Sequence, residues 1–225
     1  MLNQEMEKII HQAQKTGWIM EPEAKRLFAL AGIPVPEFRW VATLPEALKA
    51  AEAIRYPLVA KVVSPDIIHK SEVRGVVVGI KDRAQLTDTF SAFSKLKGFC
   101  GILIEELVPG IELIVGAKID YQFGPVILMG IGGTGVEIYQ DTALRMAPLS
   151  EKDVTSMIDS LKGDKLLKGY RAAEPVNLNA LKQLMVNFST LVMALENRFE
   201  SIDLNPVKCT ANGSIVADAR IMLSG

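Results

Sequence analysis

Several polar residues stand where the pattern calls for apolar ones. Lys61 lies inside Leu58-Val59-Ala60-Lys61-Val62-Val63, where an ammonium is costly unless an anion meets it. A phosphate would meet it; an edge-strand lysine that discourages aggregation is the alternative. Asp203 and Asn205 are two apart in Ile202-Asp203-Leu204-Asn205 and so point to one face of a strand. A hairpin turning at Asn212-Gly213 places Val207 opposite Asp218 and sets Asp218 diagonally across from Asn205. Three hard oxygen donors with no His or Cys suit Mg²⁺ completed by phosphate and water, against the alternative of a solvated hairpin face.

Gly130, Gly132, Gly133 and Gly135 free the backbone for a tight turn or an anion nest. Their spacing fits neither a Walker A loop nor a dinucleotide fingerprint. Arg145, between Leu144 and Met146, is a second cation in an expected strand and can answer a phosphate. Glu105 and Glu112 flank Pro109-Gly110, where a carboxylate can accept bonds from ribose hydroxyls or simply end a strand in solvent. His69, within Ser64-Pro65-Asp66-Ile67-Ile68-His69-Lys70-Ser71, has an imidazole able to attack phosphorus and leave again. A lone loop histidine is more often plain surface; His11, the other one, falls on a helix.

The elements that must position these residues alternate. Leu2, Met6, Ile9, Ile10 and Ala13 recur at helical spacing. A second helix has Pro22 in its first turn and stops at Gly32, and 45–54 and 83–96 predict two more. Strands are expected over 58–63, 75–80, 101–106, 111–119, 126–131 and 143–149, with 64–74 a polar loop stiffened at its base by Pro65. Ser150 with Asp153 predicts a capping box, and Asn177 caps a helix over 178–197. The end reads as one hairpin, 201–209 with 214–223. The chain is therefore of α/β or α+β class, in two lobes with a seam near residue 110.

Composition narrows the function. The chain has 225 residues, 49% hydrophobic and 23% charged, with net charge -1, which fits a globular core and argues against disorder. No basic run suits nucleic acid or an acidic membrane. Apolar stretches such as 126–131 are too short to cross a bilayer, and the polar N-terminus is unlike a secretory signal. Cys100 and Cys209 lack metal or redox spacing and read as free thiols. The expected compartment is the cytoplasm.

Together, the segment from Pro57 to Ser71, Gly130-Ile131-Gly132-Gly133 with Glu137, Asp141 and Arg145, Ile202-Asp203-Leu204-Asn205-Pro206-Val207 and Asp218-Ala219-Arg220-Ile221 resemble the ATP-grasp domain of NDP-forming acyl-CoA synthetases. Within that family the chain is similar to the β subunits of ADP-forming acetate–CoA ligases, relatives of succinyl-CoA synthetase β. The resemblance implies an ATP-grasp fold with the nucleotide in the cleft between lobes 20–108 and 109–225, preceded by an N-terminal helix in 1–19. It implies the reaction acyl-CoA + ADP + phosphate = acid + CoA + ATP, with ATP/ADP and Mg²⁺. His69 would be a phosphohistidine carrier assisted by Arg145. Lys61, Lys70, Glu105, Leu107, Glu112, Gly132 and Gly133 would bind nucleotide, with Glu105 at the adenine hinge and Glu112 on the ribose. Asn205, Asp218 and Asp203 would form the Mg²⁺ site. A separate α subunit with the CoA and acyl-phosphate sites is implied, in an α₂β₂ assembly. Arg74, Tyr121-Gln122 and Ala172 depart from the family pattern, Arg74 where glycine is usual. A nucleotide-sensing module and a carboxylate–amine ligase without phosphohistidine are the competing readings.

Overall fold

The computed structural model describes residues 2–133, 141–171 and 174–224; Gly135, Glu137 and Ala172 lie outside them. In chain order the elements are α1 (Gln4–Ala13), β1 (Trp18–Ile19), α2 (Glu21–Leu30), β2 (Phe38–Val41), α3 (Leu44–Ile54), β3 (Leu58–Val63), a 3₁₀ turn (Lys70–Val73), β4 (Val76–Ile80), α4 (Arg83–Phe93) and β5 (Gly101–Glu106). There follow β6 (Ile111–Asp120), β7 (Gly124–Ile131), β8 (Thr142–Met146), α5 (Glu151–Ser160), α6 (Asp164–Lys168), α7 (Leu178–Leu195), β9 (Phe199–Cys209), β10 (Ser214–Val216) and β11 (Arg220–Leu223).

The chain divides into two compact units, Pro36–Val108 and the combination of Met1–Val35 with Pro109–Gly225. This division differs from lobes of 20–108 and 109–225, because α2 packs with the C-terminal half. Its Ala24, Leu27 and Phe28 enter that unit's core, where Phe28 meets Phe188 edge-on at 6.5 Å. Just before it, β1 pairs with β11.

The smaller unit is an antiparallel sheet in the order β2-β5-β3-β4. Leu58, Ala60, Val62, Ile102 and Ile104 share a core with Ala47 and Ala51 of α3 and Leu86 and Phe93 of α4. Strand alternation therefore turns Val59, Lys61, Leu103 and Glu105 to the other face. Thr43 and Glu46 close a capping box on α3, and Asp82 caps α4.

In the larger unit, among the described residues, seven strands form one sheet ordered β1-β11-β9-β6-β7-β8, with β10 also on β9. Leu113, Val115, Ile127, Met129, Ile202, Leu204 and Val207 pack on the helices. The buried side of α7 carries Leu181, Leu184, Met185, Phe188, Leu191, Val192 and Leu195, a wide apolar stripe at helical spacing. Residues Leu178–Arg198 are long and apolar enough to cross a membrane, contrary to the expectation that no stretch would be, but α7's apolar face is committed to the core. Asn177 caps it, accepting from the Ala180 N–H at 3.0 Å. The expected Ser150–Asp153 box caps α5.

The C-terminal hairpin departs from the expected register. Its turn is the four residues Thr210 to Gly213, closed by Thr210 N–H to Gly213 O at 2.8 Å, so Val207 pairs with Val216 and not with Asp218. A shift of two residues leaves every side chain on its expected face. The expected long second strand is broken between β10 and β11. Opposite β6, Leu113 pairs with Val207 but Val115 with Leu204. Asn205 and Pro206 thus share one partner as a bulge, which returns both Leu204 and Val207 to the core.

Candidate active site

Within the smaller unit, Lys61 Nζ lies 2.9 Å from Glu105 Oε1. The two are 4% and 2% exposed, so each charge is neutralised by the other in a low-dielectric setting. Their pairing follows from register: Val59 faces Glu105 and Lys61 faces Leu103, which sets Lys61 and Glu105 diagonally on one face. Leu107 is exposed just beyond β5.

The loop after β3 is anchored at both ends and open between them. Buried Ser64 donates to Lys97 O at 2.7 Å and accepts from the Asp66 N–H, and Ile67 is buried in the core. At the far end the Gly75 N–H reaches Lys70 O at 2.7 Å, and a Cβ on Gly75 would lie 2.5 Å from a Val62 methyl. His69 between these anchors is exposed, with half-buried Lys70 beside it. Arg74 has φ 54, the left-handed conformation that favours glycine; this accounts for glycine being usual there, and nothing in the structure explains the arginine.

In the larger unit the sheet face away from the helices gathers a second set. Glu112 Oε1 lies 2.7 Å from Lys208 Nζ, its cross-strand partner. The Gly132 N–H donates to Glu112 O at 2.7 Å, and a Cβ on Gly132 would lie 2.9 Å from three Glu112 atoms. Gly132-Gly133 thus runs against Glu112 because Gly132 lacks a side chain. Asp203 Oδ2 accepts from Arg220 Nη2 at 2.7 Å and Nε at 3.2 Å. Val207 pairs with Val216 and Asp203 with Arg220, one register on both sides of the break, so Asn205 and Asp218 come opposite one another. Asn205 is exposed, Asp218 half-buried.

Two expectations change. Arg145 pairs with buried Ile127, so it points to the helical face, where its Nη2 donates to Ser156 Oγ at 2.8 Å. The structure therefore does not bring Arg145 to Glu112 and Asn205. Asp203 is held by the Arg220 guanidinium, so Asn205 and Asp218 remain the candidate metal pair. Arg220 and Lys208 were missed as site cations, although each stands between apolar neighbours, Ala219 and Ile221 or Val207 and Cys209, the signal that had singled out Arg145. Asp141, quoted above with Arg145, accepts from the Lys162 and Gly163 N–H groups and ties down a loop.

Residues 11–223 match the family model described as the ATP-grasp domain. The chain belongs to the ATP-grasp family. Among curated ATP-grasp relatives, it is 38% identical over 213 residues to acetate–CoA ligase (ADP-forming) I subunit beta of Pyrococcus furiosus, covering 91% of each chain. A solved structure of the dinucleotide-forming acetyl-coenzyme A synthetase 1 of Ca. Korarchaeum cryptofilum, with coenzyme A and Ca-AMPCP, matches with TM-score 0.90 and 36% identity over 96% of this chain and 99% of that one. Another structure of that enzyme, with coenzyme A, Mg-AMPPCP and its phosphohistidine segment pointing towards the nucleotide binding site, gives TM-score 0.86 and 35% identity over 97% and 100%.

Proposed function

We propose that the chain is the nucleotide-binding subunit of an NDP-forming acyl-CoA synthetase, a ligase in which His69 passes a phosphoryl group to ADP. The observation that carries the reading is an exposed histidine at the open middle of a loop anchored at both ends. It follows directly on the strand that bears buried Lys61. In this step the N–P bond of phosphorylated His69 breaks and a P–O bond forms to the terminal phosphate oxygen of ADP. The ring nitrogen leaves with the electron pair, and one proton is taken up. The reverse direction phosphorylates His69 from ATP.

Phosphoryl transfer asks for alignment and charge neutralisation more than covalent help. Lys61 and Lys70 supply positive charge to the nucleotide phosphates. Glu105 and Leu107 border the base, Glu112 accepts from the ribose, and Gly132-Gly133 offers close backbone approach. Asn205 and Asp218 form a sparse, oxygen-only donor set, which fits Mg²⁺ taking its other ligands from phosphate and water. When bound, Mg²⁺ withdraws charge from phosphate oxygens. Arg220, held by Asp203, replaces Arg145 as the cation on this face. The acyl and CoA chemistry then falls to a partner, since the relatives named as β subunits imply one; an α₂β₂ cytoplasmic assembly is the arrangement we propose.

The test is phosphopeptide analysis after incubation with ATP and Mg²⁺, with and without an α subunit, beside His69→Ala. An acid-labile phosphate on the His69 peptide, absent from the variant, is expected. No such phosphate under either condition, with ATP binding intact, would remove the carrier role.

A further inference from the structure

The larger unit holds a buried ion pair with no part in the chemistry above. Glu21 and Lys25 lie one turn apart on α2, 3% and 0% exposed, with Lys25 Nζ 3.0 Å from Glu21 Oε1. An ordinary surface pair at this spacing contributes only tenths of a kcal/mol, whereas burying it carries a desolvation cost. Its second contact explains the location: Lys25 Nζ also donates to Ala217 O at 2.9 Å.

Ala217 sits in the break between β10 and β11, and its N–H donates to Pro206 O at 2.9 Å. In an antiparallel ladder such opposed residues exchange two bonds. The return bond to Ala217 O would need the N–H of residue 206, and proline has none. The Lys25 ammonium takes the place of that missing donor. Next in the chain is Asp218, whose Oδ1 accepts from the Ala219 N–H at 2.7 Å.

We infer that Lys25 is a positioning residue for the metal site: with Glu21 balancing its charge, it replaces the donor absent at Pro206, holds the Ala217 carbonyl and so aims the Asp218 carboxylate. This rests on Asp218 being a Mg²⁺ ligand. It assigns Lys25 an effect on metal affinity, not on nucleotide affinity.

The experiment uses the full chain with ADP and Mn²⁺ as the paramagnetic stand-in for Mg²⁺, and compares wild type, Lys25→Met/Glu21→Leu and Asp218→Asn. The double variant removes both buried charges together, which spares the fold the larger loss from removing one. Its Mn²⁺ affinity in the presence of ADP should fall about tenfold, as for other residues that orient a metal ligand. ADP binding in EDTA and the thermal midpoint should stay near wild type. If Asp218→Asn weakens Mn²⁺ and the folded double variant does not, the inference is overturned while the metal site stands. Unchanged Mn²⁺ affinity in Asp218→Asn overturns both. Should the double variant not fold, Lys25→Gln/Glu21→Gln is measured the same way and must show the same selective loss. It also removes both charges but keeps the pair polar, and the glutamine at position 25 is too short to hold Ala217 as lysine does.

Discussion

Removing the ammonium of Lys61 should damage stability and binding by separable amounts. Lys61 and Glu105 are almost wholly buried and meet at 2.9 Å. Lys61→Met breaks the buried pair and leaves the Glu105 carboxylate in place, a loss of about 3–5 kcal/mol. Lys61→Met/Glu105→Leu removes both charges, and apolar replacement of a buried pair is commonly neutral or stabilising, so most of that loss should return. Nucleotide binding should not return with it, because a charge-assisted contact to phosphate is worth about 1.5–3 kcal/mol, or about 10–100-fold in Kd. Urea unfolding of the four members of the cycle gives the coupling energy, and calorimetric titration with ADP and Mg²⁺ gives the affinities. Two results refute the reasoning: a Lys61→Met protein unfolding at the wild-type urea midpoint, or wild-type ADP affinity in the double variant.

Arg145→Ala should leave ADP and Mg²⁺ affinities unchanged, because the side chain reaches Ser156 on the helical face, whereas Arg220→Ala should weaken binding of the Mg²⁺–ADP complex; calorimetry on both variants decides. Arg74→Gly should raise stability by up to about 1 kcal/mol in urea unfolding, by relieving a left-handed residue at φ 54 against the greater freedom glycine has when unfolded. Hydrogen bonds, first from the Thr43 hydroxyl, hold Glu46 below the usual carboxylate range, and bonds first from Ser150 do the same for Asp153. Each contributes stability above the unfolded carboxyl pKa and loses it as pH falls through the depressed folded value. The Tm deficits of Thr43→Ala and Ser150→Ala should therefore narrow on acidification through the carboxylate range, and deficits independent of pH would contradict this.

What the sequence determined by itself is local. The apolar run of β3, the capping box at Ser150 and the cap at Asn177 are each written within a few residues, because helix ends and strand alternation depend on near neighbours. The unusual residues were legible for the same reason: Lys61, Asp203, Asn205 and Asp218 stand out against apolar flanks, and the segment around His69 carried the family resemblance. Tertiary structure decided everything that depends on pairing across the chain. No local signal turns Arg145 towards α5 and Arg220 away from the helices, since two cations in similar strands differ only in the face that long-range register assigns them. Nor does α2 announce that it packs with a half of the chain that begins some eighty residues after its end. No local signal marks Glu21 and Lys25 as buried; the fold sets them against Ala217. There the donor missing from Pro206 gives a buried lysine its place.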